Sequence, residues 1–266
     1  MTSTSPVTAP TSTAPLTVEV WSDVVCPWCY IGKRRLEAAL DRLALPEVQV
    51  VWRSFQLDPS APRPGEPGHG QSVAEHLGEK YGGGREAGLR MSAQMTEVAA
   101  DEGLVFRLED AGRGSTVDAH RLLHLAADVE AQGAPGLQDA VKERLLRAYF
   151  TEGADVSDPR VLRGPAVEAG LPEVRVDEVL GSDEYAHDVL ADQEQARAYG
   201  ASGVPFTVVD GRYGISGAQP VEVFVDALTR ARADRTSVLV PVTADGGAEG
   251  GCGPDGCAVP GADQDR

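Results

Sequence analysis

The apolar positions change period twice along the chain. Leu16 to Trp21, LTVEVW, alternates as a strand does. From about Trp28 to Leu43, Ile31, Leu36, Ala39, Leu40 and Leu43 recur at helical spacing, while Lys33, Arg34, Glu37 and Asp41 fall elsewhere. Val48 to Phe55, VQVVWRSF, returns to strand character. A strand, a helix and a strand in so short a stretch predict a βαβ unit, whose right-handed crossover leaves the two strands parallel. Asp58 to Gly70, DPSAPRPGEPGHG, is dense in Pro and Gly and reads as a loop. Helical spacing then holds near residues 71–81, 86–102, 116–132, 136–151, 158–169 and 183–200. At Gly203 the period shortens again. Phe206 to Val209 and Tyr213 to Ser216 flank an Asp210-Gly211 turn as a hairpin, and Pro220 opens a closing helix that ends near Arg232. The expected fold is α/β: a βαβ unit, a large all-helical insertion, and a ββα unit.

Composition narrows the function. The chain of 266 residues carries 24 Lys and Arg against 41 Asp and Glu, a net charge of −17. Nucleic-acid binding by general electrostatics is excluded, because it needs a cationic face to displace counterions from phosphates. No apolar run approaches the roughly 20 residues a membrane helix needs. The opening MTSTSPVTAPTSTAPLT is a Ser/Thr/Pro/Ala tract without the cationic start or apolar core of a secretory signal, so residues 1–15 read as a disordered lead and the protein as cytoplasmic. After Ser237 the run GGAEGG and GPDG, with scattered acids, cannot bury a core, and residues 236–266 read as a flexible tail.

Four cysteines grouped as two close pairs point to site chemistry rather than a disulfide scaffold. Cys26, Pro27, Trp28 and Cys29 form CPWC where the first strand hands over to the first helix. Free N–H groups and the helix dipole stabilise a thiolate there, so Cys26 is expected to have a lowered pKa and act as nucleophile, with Cys29 resolving the mixed disulfide one turn further in. CxxC is also half of a four-cysteine zinc site. Pro27 and Trp28 stiffen a segment that a zinc knuckle would need flexible, and no metal is expected. Trp28 is expected to cover the pair and part of the substrate surface. Cys252 and Cys257 enclose Gly-Pro-Asp-Gly, a β-turn sequence able to bring the sulfurs together, as a second redox pair or as an incidental or loosely zinc-binding one. His120, His124 and Asp128 recur every four residues and share a helix face, a spacing compatible with metal ligands. The stripe is offset by one residue from Leu125 and Val129, so a partly solvated face is expected. Asp23, three residues before Cys26, either tunes the thiolate or is a solvated loop acid, the expectation here being the latter.

WSDVVCPWCYIG, HRLLHLA and SGVPF, the last containing Val204 and Pro205, together resemble the DsbA-like thioredoxin-fold oxidoreductases and more narrowly the FrnE group, over residues 16–235. The resemblance implies a thioredoxin-like domain made of residues 16–56 and 202–235, with residues 57–201 as the insertion lobe. It also implies a cis bond at Pro205, which lies against the redox pair while Val204 offers backbone hydrogen bonds to an extended substrate. A proline at the mouth of a strand suits an edge position. The implied activity is that of a protein dithiol-disulfide oxidoreductase or isomerase, acting on disulfide- or dithiol-containing proteins or small molecules without metal or organic cofactor. Some FrnE-like proteins carry a CxxxxC tail pair, which would have Cys252 and Cys257 exchange electrons with the first pair. The HRLLHLA resemblance would turn the histidine face toward the cleft. Kappa-class glutathione transferases and hydroxychromene carboxylate isomerases are similar but carry Ser at the position of Cys26 and bind glutathione. A glutathione-dependent isomerase or transferase in the same cleft is therefore the alternative, with glutathione as co-substrate.

Overall fold

A computed structural model describes residues 15–45 and 48–235, so both termini, including Cys252 and Cys257, lie outside the described residues. β1 (Leu16–Ser22) runs parallel to β2 (Val48–Ser54), with α1 (Pro27–Leu43) as the crossover, and Ser22 stands opposite Ser54 at the far end. β3 (Phe206–Val209) is antiparallel to both β1 and β4 (Tyr213–Ser216), giving the strand order β2-β1-β3-β4. This is a thioredoxin-like α/β sheet interrupted by a helical insertion. β3 is an inner strand, which corrects the edge expectation for Pro205. Pro205 sits just before the ladder, where a missing N–H disrupts nothing, and its carbonyl accepts the Gly217 N–H at 2.8 Å.

Strand alternation sends successive side chains to opposite faces. Val18 and Val20 pack with Leu36 and Ala39 of α1 and with Phe224 and Leu228 of α9 (Val221–Arg235). Trp21, pointing the other way, is buried with Ala196 of α8 (Ala186–Ala198), Phe206 and Val208, and its Nε1–H donates to the Asp192 carbonyl at 2.8 Å.

The insertion contributes α2 (Val73–Tyr81), α3 (Gly84–Asp101), α4 (Val117–Ala131), α5 (Leu137–Phe150), α6 (Pro159–Glu168) and α7 (Glu173–Leu180) before α8. Of these, α7 was not expected. Half of its eight residues, EVRVDEVL, are charged, and only Val176 and Val179 are buried, too short a pattern to register as periodic. The core of the insertion, with Leu122, Leu125, Val141, Leu145 and Phe150, continues into α1 through Tyr30 and Ile31. One helix therefore serves two cores. The insertion also seals the open edge of β2. The Gln138 side chain accepts the Trp52 N–H and donates to the Trp52 carbonyl, both at 2.9 Å, and Asp192 accepts the Ser54 N–H at 2.7 Å.

Candidate active site

Cys26 is the N-cap of α1, with extended backbone (φ −90°, ψ 114°) and Pro27 at the first helical position. The proline fits because the first helical N–H has no partner inside the helix. One turn on, the Cys29 N–H donates to the Cys26 carbonyl at 3.0 Å, and both cysteines are buried and free. The Val204–Pro205 peptide bond is cis. The Cys26 thiol donates to the Val204 carbonyl at 3.6 Å, which places the loop before β3 directly against the pair. Gly32 lets that loop approach, since a Cβ there would stand 3.1 Å from Pro205 Cγ. Trp28 is 41% exposed beside the pair. Cys26, Trp28 and Val204 line a cleft of about 420 Å³, together with Leu77, Met91 and Met95 of α2 and α3 and with His76, Lys80 and Arg113.

The electrostatics are more opposed than the helix start alone suggests. In the reduced pair, a side-chain hydrogen bond with Cys29 raises the Cys26 pKa well above the usual thiol range, and burial and the Asp23 carboxylate push it the same way; the Cys29 N–H works against them. The expected lowering is therefore corrected for this arrangement.

Asp23 is not a solvated loop acid. It is 1% exposed, accepts the Leu57 N–H at 2.8 Å, and faces His120 Nε2 at 3.3 Å. Burial raises its carboxyl, but His120, the Leu57 N–H and Lys142 outweigh that effect and hold its pKa down. The solvated-face expectation for the histidine stripe fails at the same contact. His120 is fully buried, and burial, aided by the charge of Lys142, lowers its pKa toward the neutral ring. His124 Nε2 lies 3.0 Å from Ser54 Oγ and 3.2 Å from Asp192, while Asp128 accepts the Tyr185 hydroxyl at 2.6 Å. The three residues therefore serve three different partners. Among the described residues no group of three His, Cys, Asp or Glu side chains could hold a metal ion.

Sequence reasoning missed Lys142. It is fully buried on α5, its Nζ has no hydrogen-bond partner among the described residues, and it stands over the Trp52 ring at 5.6 Å. Burial brings its pKa down to about 8, while the charges of Cys29, Asp23 and Cys26 pull it up. The signal was present: Lys142 lies between Gln138 and Leu146 at four-residue spacing, a cation inside the buried face of its helix.

Comparison with known proteins agrees with this geometry. A family model described as a DSBA-like thioredoxin domain matches residues 17–229. The crystal structure of a probable DsbA oxidoreductase from Streptomyces coelicolor is 42% identical, covering 92% of this chain and all of that one, with a TM-score of 0.73. A cytosolic disulfide reductase, DsbM from Pseudomonas aeruginosa, solved with GSH, shares the fold at 21% identity and a TM-score of 0.51, covering 82% of this chain and 96% of that one. A curated relative, the uncharacterized protein YwbO of Bacillus subtilis, is 42% identical over 43 residues, so the chain spans only 20% of that relative's length and the match covers 16% of this chain. With the family model covering the sheet, both cysteines of CPWC, the cis proline and the whole insertion, the chain belongs to the DsbA-like thioredoxin domain family.

Proposed function

We propose that this protein is a thiol-disulfide oxidoreductase and isomerase of the FrnE type, working through Cys26 and Cys29. The observation that carries the proposal is the placement of Cys26 as the N-cap of α1, hydrogen-bonded to Val204 before the cis proline and opening onto the cleft. The Cys26 thiolate attacks a substrate disulfide, forming the Cys26–substrate disulfide and expelling one substrate sulfur as a thiolate, which takes a proton. Cys29 then loses its proton and attacks Cys26 Sγ, closing the Cys26–Cys29 disulfide and releasing the second substrate thiol. Two electrons pass to the substrate, and an external thiol restores the pair. Val204 and Trp28 hold the substrate chain beside the sulfur, with the buried Pro205 shaping that surface.

The protein is proposed to act in the cytoplasm, on disulfide- or dithiol-containing proteins or small molecules, with no metal or organic cofactor. Among the described residues no helix is long and apolar enough to cross a membrane. Glutathione is proposed as a co-substrate, supported by the DsbM structure with GSH. Cys252 and Cys257 are proposed to exchange with the Cys26–Cys29 disulfide. Equal turnover by protein truncated after residue 235 would remove that element alone.

The test is reduction of insulin disulfides with dithiothreitol as electron source. Wild-type protein accelerates precipitation and Cys26→Ser does not. Equal activity of the two, or none in either, would sink the proposal and favour glutathione-dependent isomerase or transferase chemistry in the same cleft.

A further inference from the structure

The cleft that Cys26 lines has a chemistry of its own. Its apolar lining comes from four parts of the insertion: Val73 and Leu77 of α2, Met91 and Met95 of α3, Leu108 ahead of α4, and Phe150 at the end of α5. Met91 and Met95 lie one turn apart on α3, and thioether side chains adapt their shape to what they touch. Trp28, Leu57 and Tyr81 line the same cleft and are 41%, 41% and 64% exposed, so apolar surface here also faces solvent. At about 420 Å³, the space falls within the roughly 300–1,000 Å³ of small-molecule sites. A peptide chain drawn into it would set amide groups against these side chains without partners, a cost that an apolar body escapes.

The charges of the lining leave one cation over. Asp58 accepts from Arg113 Nε at 3.0 Å and Nη2 at 2.6 Å, and Asp23 is held by the Leu57 N–H and His120. Burial and the charges of Arg113 and Lys80 lower the pKa of His76, so its ring is neutral at pH 7. Among the described residues, Lys80 is the ionised side chain of the lining that has no hydrogen-bond or ion-pair partner, its Nζ standing 5.5 Å from the Tyr81 ring centroid. A ligand that fills the apolar space therefore gains by carrying a negative charge.

We propose that this cleft binds a low-molecular-mass disulfide, the half seated beside Cys26 being an apolar body with an anionic group that pairs with Lys80. The proposal rests on the dithiol function above and names its substrate class. The Cys26 thiolate attacks the sulfur of the seated half, the substrate S–S bond breaks, and the other half leaves as a thiolate that takes a proton. Cys29 then loses its proton to solvent and attacks Cys26 Sγ, which frees the seated half as the second thiol. The pair loses two electrons and the substrate gains them.

Two measurements on the full chain in its reduced state test the proposal. Binding is read without sulfur chemistry from the fluorescence of anilinonaphthalene sulfonate, an apolar anion. Its affinity should fall about fivefold in Lys80→Glu and recover in Lys80→Arg. Exchange is read from the release of aryl thiol from dithiobis(nitrobenzoate), which carries a carboxylate on each half, and from uncharged dithiodipyridine. Oxidation of the pair by oxidised glutathione serves as the polar reference. The ratio of the first rate to the second should fall about fivefold in Lys80→Glu, and both aromatic rates should fall about fivefold relative to glutathione in Met95→Gln. Such ratios cancel any general change in Cys26 reactivity. Each variant is checked for cooperative melting, and Leu77→Asn stands in should Met95→Gln fail to fold. Unchanged affinity or an unchanged ratio in Lys80→Glu overturns the proposal, as do unchanged ratios in Met95→Gln. Insulin turnover with unshifted affinity and ratios removes the cleft site alone. A protein that binds the dye as expected yet reduces neither insulin nor the small disulfides keeps the site and loses the oxidoreductase function.

Discussion

Replacing Lys142 by Met should stabilise the fold, by an amount that depends on pH. In the unfolded chain the ammonium gives up its proton near 10.5, and in the folded protein near 8. The unfolded chain therefore holds more protons across that window, and stability rises with pH through it; below pH 8 the whole penalty of burying the charge stands. At roughly 1.4 kcal/mol for each factor of ten, the difference amounts to about 3 kcal/mol at pH 7 and falls to about 1 kcal/mol at pH 9.5. Met is of similar length and unbranched, so it fills the space beside Trp52 with little strain. For a protein of this size each kcal/mol moves Tm by about 2–4 °C, so the reduced Met variant should melt roughly 6–12 °C higher at neutral pH if its packing is fully retained. The assay is thermal unfolding followed by circular dichroism at pH 7 and pH 9.5, with both proteins kept reduced. A Met variant less stable than wild type at pH 7, or one whose advantage is the same at both pH values, would refute the reasoning, because the effect must shrink once the pH rises above about 8 and Lys142 gives up its proton in the folded protein.

Three further outcomes follow from contacts described above. Asp23→Asn removes the negative charge that faces the thiols, so iodoacetamide should alkylate Cys26 faster at pH 7 than in wild type; a slower reaction would mean that Asp23 acts through the loop's geometry instead. Gln138→Ala leaves the Trp52 N–H and carbonyl without their partners, a loss of about 1–3 kcal/mol readable in urea unfolding, and a change within a few tenths of a kcal/mol would show that water satisfies that edge equally well. A Cβ at Gly88 would overlap the Ala74 backbone carbonyl, so Gly88→Ala should force α2 and α3 apart, lowering stability by about 1–3 kcal/mol and deforming the cleft wall that carries Met91 and Met95; an unchanged Tm would argue against that close crossing.

The elements that position the redox pair were legible because their signals are local. The change from period two to helical spacing between Trp21 and Trp28 brackets CPWC, and the return to period two after Gly203 brackets the proline loop. What joins these elements was not legible. Asp23 and His120 are 97 residues apart, and nothing around either residue announces the other; each alone looks like a surface polar residue. A buried contact between two polar side chains changes the meaning of both, and it exists only once α4 has packed over the ends of β1 and β2. Lys142 is the intermediate case. Its place within an apolar helix face was visible, but the groups whose charges act on it come from α1 and the loop before it. α7 escaped for a different reason, since its eight residues, half of them charged, hold only two buried valines.

The way Gln138 and Asp192 close the edge of β2 bears on how this molecule could be cut. Residues on either side of the insertion make up the whole sheet, which invites a minimal protein built by joining them directly. Such a molecule would expose the backbone of β2 as a template for pairing with other chains, lose the helix that covers Trp21, and leave Asp23 beneath the thiols with neither His120 nor Lys142. The insertion is thus the wall and wiring of the sheet's redox end, and the shortest chain that keeps the chemistry is nearly the whole of it.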